Sequence, residues 1–294
     1  MAAIESLIAL LSASPPSTVS ETLALIESST ATLKASTPNS LSLTAGTDLF
    51  QRYILSTLQA GNTADFPAVR AHLLANSNAF VQQAKEARAR IADIAKQFIQ
   101  HESVIVTSGY SRVVSAVLQA ASDDGTAFKV VQVQEADSVH NQATRNLVRQ
   151  LRRKQVYVAT VPFAALATAA SKATIALVGA ESLLENGGII SSMGTQQIGI
   201  LAKHFGKRVY AVAESHKYVR KYPLASQDLG FGQDDVDFRI EHSQETTATS
   251  HVDDSEAVLP SLDYTPPDLI TGLVTESGVH SPYAISEEMN KIWD

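Results

Sequence analysis

The chain's 294 residues suit one large domain or two modest ones, and with 45% hydrophobic against 18% charged residues it can bury a proper core. The absence of cysteine excludes disulfides, zinc–thiolate sites and thiol catalysis together. A formal charge of −7 speaks against general nucleic-acid affinity while leaving room for local basic patches. No apolar run approaches the ~20 residues needed to span a bilayer, and the first residues lack the basic flank of a secretory signal. The expectation is a soluble, cytoplasmic protein with no membrane partner and no direct nucleic-acid partner.

Residues 1–100 read as helical throughout. Ile4, Leu7, Ile8, Leu10 and Leu11 form one apolar stripe at helical spacing. Ser17-Thr18-Val19-Ser20-Glu21 holds an N-cap with an acid in the first turn, opening a helix to about Leu33. Ser36–Thr47 reads as a polar connection, with Thr44-Ala45-Gly46-Thr47 leading into a helix over Asp48–Leu58. Phe66-Pro67 starts the longest helix, to roughly Gln100, with Leu73, Leu74, Ala84, Ile91, Ile94 and Phe98 towards a core. Its other face carries Arg70, His72, Lys85, Glu86, Arg88, Arg90 and Asp93, a solvated face or a partner surface.

From Ser103 the pattern becomes alternating strands and helices. Strands are expected at Ser103–Thr107, Phe128–Gln134, Gln155–Val161, Thr174–Val178, Arg208–Ala213 and Leu269–Thr275. Helices are expected between them at Arg112–Ala121, Asn141–Arg153, Phe163–Ala170 and Thr195–Phe205. This alternation predicts an α/β fold, an all-helical N-terminal domain (1–100) followed by a Rossmann-like, doubly wound parallel sheet (101–294). Between about 233 and 260, acids interspersed with Ser, Thr and Gln read as a mobile insertion.

The chemistry gathers at the predicted strand ends, where open α/β sheets place their ligands. The first strand runs into Gly109-Tyr110-Ser111-Arg112, hydroxyls and a guanidinium feeding a helix, which suits a phosphate. Glu135 ends the second strand and Glu181 the fourth, where Gly179-Ala180 let the backbone leave the sheet. Asn186-Gly187-Gly188 can take positive φ and fold the chain back. Gly194-Thr195 opens the next helix, with Thr195 as N-cap and an anion favoured there. The fifth strand ends in Glu214, followed by Lys217 and Arg220, which share a face if that piece is helical. Carboxylates mixed with cations and hydroxyls describe a pocket for a sugar phosphate or nucleoside monophosphate. Its phosphate would lie against Gly109–Arg112 and a helix start at Gly46-Thr47, and Glu135, Glu181 and Asn186 would meet hydroxyls. The alternative is that these groups bridge a domain or subunit seam. No histidine pair has metal-ligand spacing, and neither the Walker A nor the G-x-G-x-x-G pattern occurs.

Three segments are specific enough to carry a resemblance: Val178-Gly179-Ala180-Glu181, Glu185-Asn186-Gly187-Gly188-Ile189-Ile190, and Tyr210-Ala211-Val212-Ala213-Glu214-Ser215-His216-Lys217-Tyr218-Val219-Arg220 with Tyr222-Pro223-Leu224. Thr107, Tyr110-Ser111-Arg112-Val113-Val114 and Asp263-Tyr264-Thr265-Pro266-Pro267 fit as well. From about Thr44 onwards the chain resembles the alpha-type regulatory subunits of eukaryotic translation initiation factor 2B. The resemblance implies a homodimer, built through the C-terminal domain with Ile189–Ile190 and Tyr218–Leu224 at its seam. That dimer would join two copies each of the beta, gamma, delta and epsilon subunits. Such a complex exchanges guanine nucleotide on initiation factor 2, and its alpha subunit senses that factor's phosphorylated alpha chain. On this basis Arg70, Lys85, Arg88 and Arg90 are expected to meet the phosphorylated partner.

The same superfamily includes methylthioribose-1-phosphate and ribose-1,5-bisphosphate isomerases. The resemblance places their Cys at Gly109 here, their Asp at Glu181, and their Asn-Lys before Gly-Thr at Ser191-Ser192. Glycine moves no proton, and the extra methylene of Glu181 displaces a carboxylate by ~1 Å, which can cost ~10²-fold. The expectation is a non-catalytic subunit that requires no cofactor. The alternatives are an active isomerase of that superfamily and the beta subunit of the same complex.

Overall fold

The computed structural model describes residues 2–13, 18–36, 41–60, 66–134, 141–224, 228 and 262–293. The expected acidic insertion and Glu135 lie outside the described residues. Four helices come first: α1 (Ala2–Ala13), α2 (Val19–Ala35), α3 (Leu41–Ala60) and α4 (Phe66–Ala95). Thr18 caps α2, its hydroxyl accepting from the Glu21 N–H at 3.1 Å, a device worth ~1 kcal/mol. The stripe Ile4, Leu7, Ile8 and Leu11 buries with Ile26, Phe50, Ile54 and Val81, giving the bundle its own core.

Helix α3 corrects the expectation of a polar connection up to Thr47: it already starts at Leu41. The Thr47 hydroxyl turns back onto the carbonyls of Leu43 (2.9 Å) and Thr44 (3.1 Å), and Ala45 is buried. Packing overrides the weak helix preference of Thr and Gly here.

The sheet strands are β1 (Val104–Ser108), β2 (Lys129–Gln134), β3 (Tyr157–Pro162), β4 (Ile175–Gly179), β7 (Arg208–Val212), β10 (Gly272–Thr275) and β11 (Gly278–His280), with β5 (Ser182–Leu184), β6 (Ile189–Ser192), β8 (Tyr218–Val219) and β9 (Leu262–Thr265) elsewhere. The large sheet runs β11-β10-β7-β4-β1-β2-β3, parallel except for the β10–β11 hairpin. Helices α5 (Arg112–Asp123) and α6 (Asn141–Arg153) cover one face, and α7 (Leu166–Lys172), α8 (Thr195–His204) and α9 (Ile285–Trp293) the other. The chain moves from β1 outwards to β2 and β3, then returns to β4 on the other side of β1. That reversal opens a crevice outside the carboxyl ends of β1 and β4, the usual ligand position of a doubly wound sheet.

Helix α4 changes partners along its length. Val81 belongs to the bundle core, whereas Ile91, Ala92 and Ala95, then Ile99 beyond the helix, bury with Val113, Leu118 and Val130 against the sheet. Phe98 stacks on Tyr210, ring centroids 4.1 Å apart.

A second sheet, β8-β5-β6-β9, was not foreseen. Asn186-Gly187-Gly188 does fold the chain back, as the β5–β6 turn with Gly187 at φ +83°. One face of this sheet, Leu184, Ile190, Val219 and Tyr264, buries against Ala45 of α3. Ile189 and Ile190, expected at a dimer seam, are buried within the chain, as are Tyr218 and Val219.

Candidate functional site at the strand ends

After β1 the chain turns at Gly109 (φ +60°), whose carbonyl accepts from Gln132 Nε2 at 2.8 Å. Ser111 caps α5, its hydroxyl accepting from the Val114 N–H at 3.3 Å. Tyr110 and Arg112 on either side are exposed. The start of α5 sits against the end of β4 because Gly179 has no side chain: a Cβ there would stand 2.3 Å from Ser111 Oγ. Glu181, just past β4, is exposed, and its N–H is held by the Ile190 carbonyl at 2.8 Å. Ser111 thus abuts the end of β4, and Tyr110, Arg112 and Glu181 are exposed at the ends of β1 and β4.

The end of β7 carries the strongest electrostatics. Glu214 is 1% exposed; its Oε1 accepts from Arg88 Nη2 at 3.1 Å, and Lys217 Nζ lies 3.2 Å from its Oε2. Burial by itself pushes this carboxyl up, but the Lys217 ammonium, His216 and hydrogen bonds outweigh it and hold it at about 2. His216 is pushed down to about 4 by burial, with Lys217 and Arg112 adding to the effect against Glu214, so the ring is neutral at physiological pH. Lys217 also donates to the Ala180 carbonyl at 2.9 Å, tying β7 to the exit of β4. Beyond β10, Glu276 accepts from the Ser215 N–H at 3.0 Å and from its hydroxyl.

Several expectations need correcting. Gly46 and Thr47 lie inside α3 rather than at its start, so their N–H groups belong to the helix ladder and offer no phosphate site. Asn186 is spent on its own turn: Nδ2 donates to the Pro223 carbonyl and the Tyr264 hydroxyl, both at 2.7 Å, and Oδ1 accepts from the Gly188 N–H at 2.9 Å. Arg220 follows β8, on the small sheet, and is exposed there. Arg88 is paired within the chain with Glu214, while Arg90 is exposed and pairs with Glu86 at 3.5 Å. Arg70 and Lys85 sit on α4, but their side chains lie outside the described residues.

The start of α8 does gather an anion, and it is internal. Gly194 (φ +95°), not Thr195, is the cap, and Asp263 Oδ2 accepts from the N–H groups of Gly194 (2.7 Å) and Gln196 (2.9 Å). Asp263 is buried with Oδ1 unpartnered. Burial raises its carboxyl to about 6 against the lowering effect of those N–H groups. Sequence reasoning missed this role because the partners are 67 and 69 residues apart.

The sequence matches the Initiation factor 2 subunit family over residues 1–282. It is 30% identical over 254 residues to translation initiation factor eIF2B subunit alpha of Dictyostelium discoideum, covering 86% of this chain and 78% of that protein. It is also 23% identical over 246 residues to a ribose 1,5-bisphosphate isomerase of Haloterrigena turkmenica, covering 82% and 73%. A chain of the tetrameric eIF2B-beta2-delta2 complex from C. thermophilum aligns with a TM-score of 0.79 at 17% identity, over 99% of this chain and 87% of that one, which is a likeness of fold. With a family match reaching from the bundle to α9's approach, the chain belongs to the Initiation factor 2 subunit family.

Proposed function

We propose that this chain is a non-catalytic, alpha-type regulatory subunit of the complex that exchanges guanine nucleotide on translation initiation factor 2. Its likeness to the Dictyostelium alpha subunit supports a regulatory role in translation initiation. In this reading it works in the cytoplasm as a homodimer, joins the beta, gamma, delta and epsilon subunits, and senses the phosphorylated alpha chain of factor 2. The strand-end crevice keeps a sugar phosphate or nucleoside monophosphate without converting it.

The carrying observation is that the two buried carboxylates beside the strand ends are engaged within the chain. Glu214 is held by Arg88 and Lys217, and Asp263 by the start of α8. Gly109 presents only backbone, and that carbonyl is already taken by Gln132. Among the described residues no side-chain contact gives Glu181 a partner acid to complete proton transfer, and the position equivalent to the isomerases' Cys is Gly109. For assembly, the supporting feature is an apolar surface at the β5–β6 turn. Asn186 contacts Pro223 and Gly187 abuts Pro282, and their neighbours Tyr222, Leu224 and Tyr283 are 66%, 86% and 70% exposed.

The test is to mix the purified chain with the beta, gamma, delta and epsilon subunits, size the product, and assay nucleotide exchange with unphosphorylated and phosphorylated factor 2. The reading expects one larger assembly whose exchange activity becomes sensitive to phosphorylation only when this chain is present. Failure to join the four subunits, or unchanged sensitivity, overturns it. A second reading, an active isomerase, has the Haloterrigena likeness and exposed Glu181 in its favour. Turnover of ribose-1,5-bisphosphate or methylthioribose-1-phosphate that Glu181→Gln abolishes would establish it.

A further inference from the structure

The distribution of charge is uneven in a way that the strand-end site does not use. No Asp or Glu occurs between Asn141 and Ala180 in a chain of net charge −7. Within that stretch α6 and the residue after it carry Arg145, Arg149, Arg152, Arg153 and Lys154, all exposed. Arg145, Arg149 and Arg153 are four residues apart, so they form one stripe, each about 6 Å further along the axis.

The stripe leads to the edge of the large sheet. Arg152 Nη2 donates to the Val158 carbonyl of β3 at 2.8 Å, which seats a guanidinium on the outermost strand. The next residue back, Tyr157, is 76% exposed, and alternation along β3 sends it to the face opposite buried Val158. Lys129, exposed on β2, stands in register with it. Cations thus pass along α6, over the sheet edge, and meet an aromatic ring with another cation beside it.

We propose that this edge, Arg149, Arg153, Arg152, Tyr157 and Lys129, is a binding surface for single-stranded nucleic acid. Guanidinium groups bind phosphate through paired N–H donors, and an exposed aromatic offers a base a stacking platform. A purely acidic segment such as polyglutamate would use the cations but has no ring to stack on Tyr157. A rigid duplex cannot bend from the helix over the sheet edge, whereas a single strand can.

The test is fluorescence anisotropy of the full chain with labelled oligo(U) RNA, and with oligo(dT), duplex RNA and polyglutamate as competitors, between about 50 and 200 mM salt. Expected are saturable binding at the low-salt end and a falling log K against log salt, with slope about −0.7 for each phosphate neutralised. Whichever of oligo(U) and oligo(dT) competes better identifies the sugar. Arg149→Glu with Arg153→Glu should weaken binding about tenfold or more and flatten that slope. Tyr157→Ala should weaken it about fivefold or more with the slope unchanged. Circular dichroism melting shows that each variant is folded; the altered side chains are exposed. Absence of binding near 50 mM salt, indifference to the double reversal in folded protein, or polyglutamate or duplex competing as well as oligo(U) with Tyr157→Ala silent, overturns the proposal.

Discussion

Arg88 on α4 and Glu214 at the end of β7 are 126 residues apart in sequence and 3.1 Å apart in space. Removing one member of a buried pair costs ~3–5 kcal/mol, because the other charge is stranded. Lys217 remains beside Glu214 and Arg88 is 28% exposed, so Arg88→Ala should cost less, about 2 kcal/mol. Urea titration read by circular dichroism measures it. A midpoint unmoved by the substitution would mean that the pair contributes nothing.

Acid should destabilise the protein in two stages. His216 has a folded value near 4 against 6.5, so its contribution is complete above 6.5 and is lost as pH falls towards 4. Glu214 has a folded value near 2 against 4.5, so its contribution is complete above 4.5 and is lost between 4.5 and about 2. Glu214→Gln should flatten the second stage, and His216→Gln the first, in melting temperatures recorded across that range.

Asp263 should act in the opposite sense. Its folded value near 6 exceeds 3.8, so its contribution is complete below 3.8 and is lost as pH rises to about 6. Asp263→Asn removes that compensation, and the variant should lose stability more steeply than the parent between about pH 6 and pH 4. Equal slopes for the two proteins would count against it.

Gly179→Ala should cost ~1–3 kcal/mol, typical of overpacking, because the new methyl group would meet Ser111 Oγ at 2.3 Å and Cβ at 2.4 Å. The start of α5 must then withdraw from β4, so crevice ligands should weaken with it. Differential scanning calorimetry with and without ligand separates the two effects.

Sugar phosphates or nucleoside monophosphates should raise the melting temperature by binding the folded state, with Arg112 as the main cation. A charge-assisted bond is worth ~1.5–3 kcal/mol, so Arg112→Ala should weaken binding about tenfold to a hundredfold in calorimetry. Glu181→Gln should cost less, since the amide oxygen still accepts. Silence of all such compounds at millimolar concentration, or binding indifferent to Arg112, would exclude this pocket.

The central parallel strands were legible where they are continuous apolar runs buried on both faces, as in Ile175–Val178, and the edge strand β3 through its position in the strand–helix alternation. The small sheet was not, since its strands span two to four residues and β9 finds its partner far back in the chain at β6. The crevice itself was half legible. Gly109–Arg112 and Glu181 fall where strand ends put them, a local property. The internal bonds of Asn186 and Arg88 were not legible because their partners, Tyr264 and Glu214, are 78 and 126 residues away. A turn residue announces its backbone conformation but not what its amide will hold.

Helix α4 is one unbroken rod shared between two cores. Melting the bundle alone would leave half of it docked on the sheet, so within a single helix amide exchange should step from bundle-like to sheet-like protection between Val81 and Ile91. The rod is also a lever arm. Tilting its bundle half moves Arg88 against Glu214, and any ligand that tightens the β7 end resists that tilt by the same free energy.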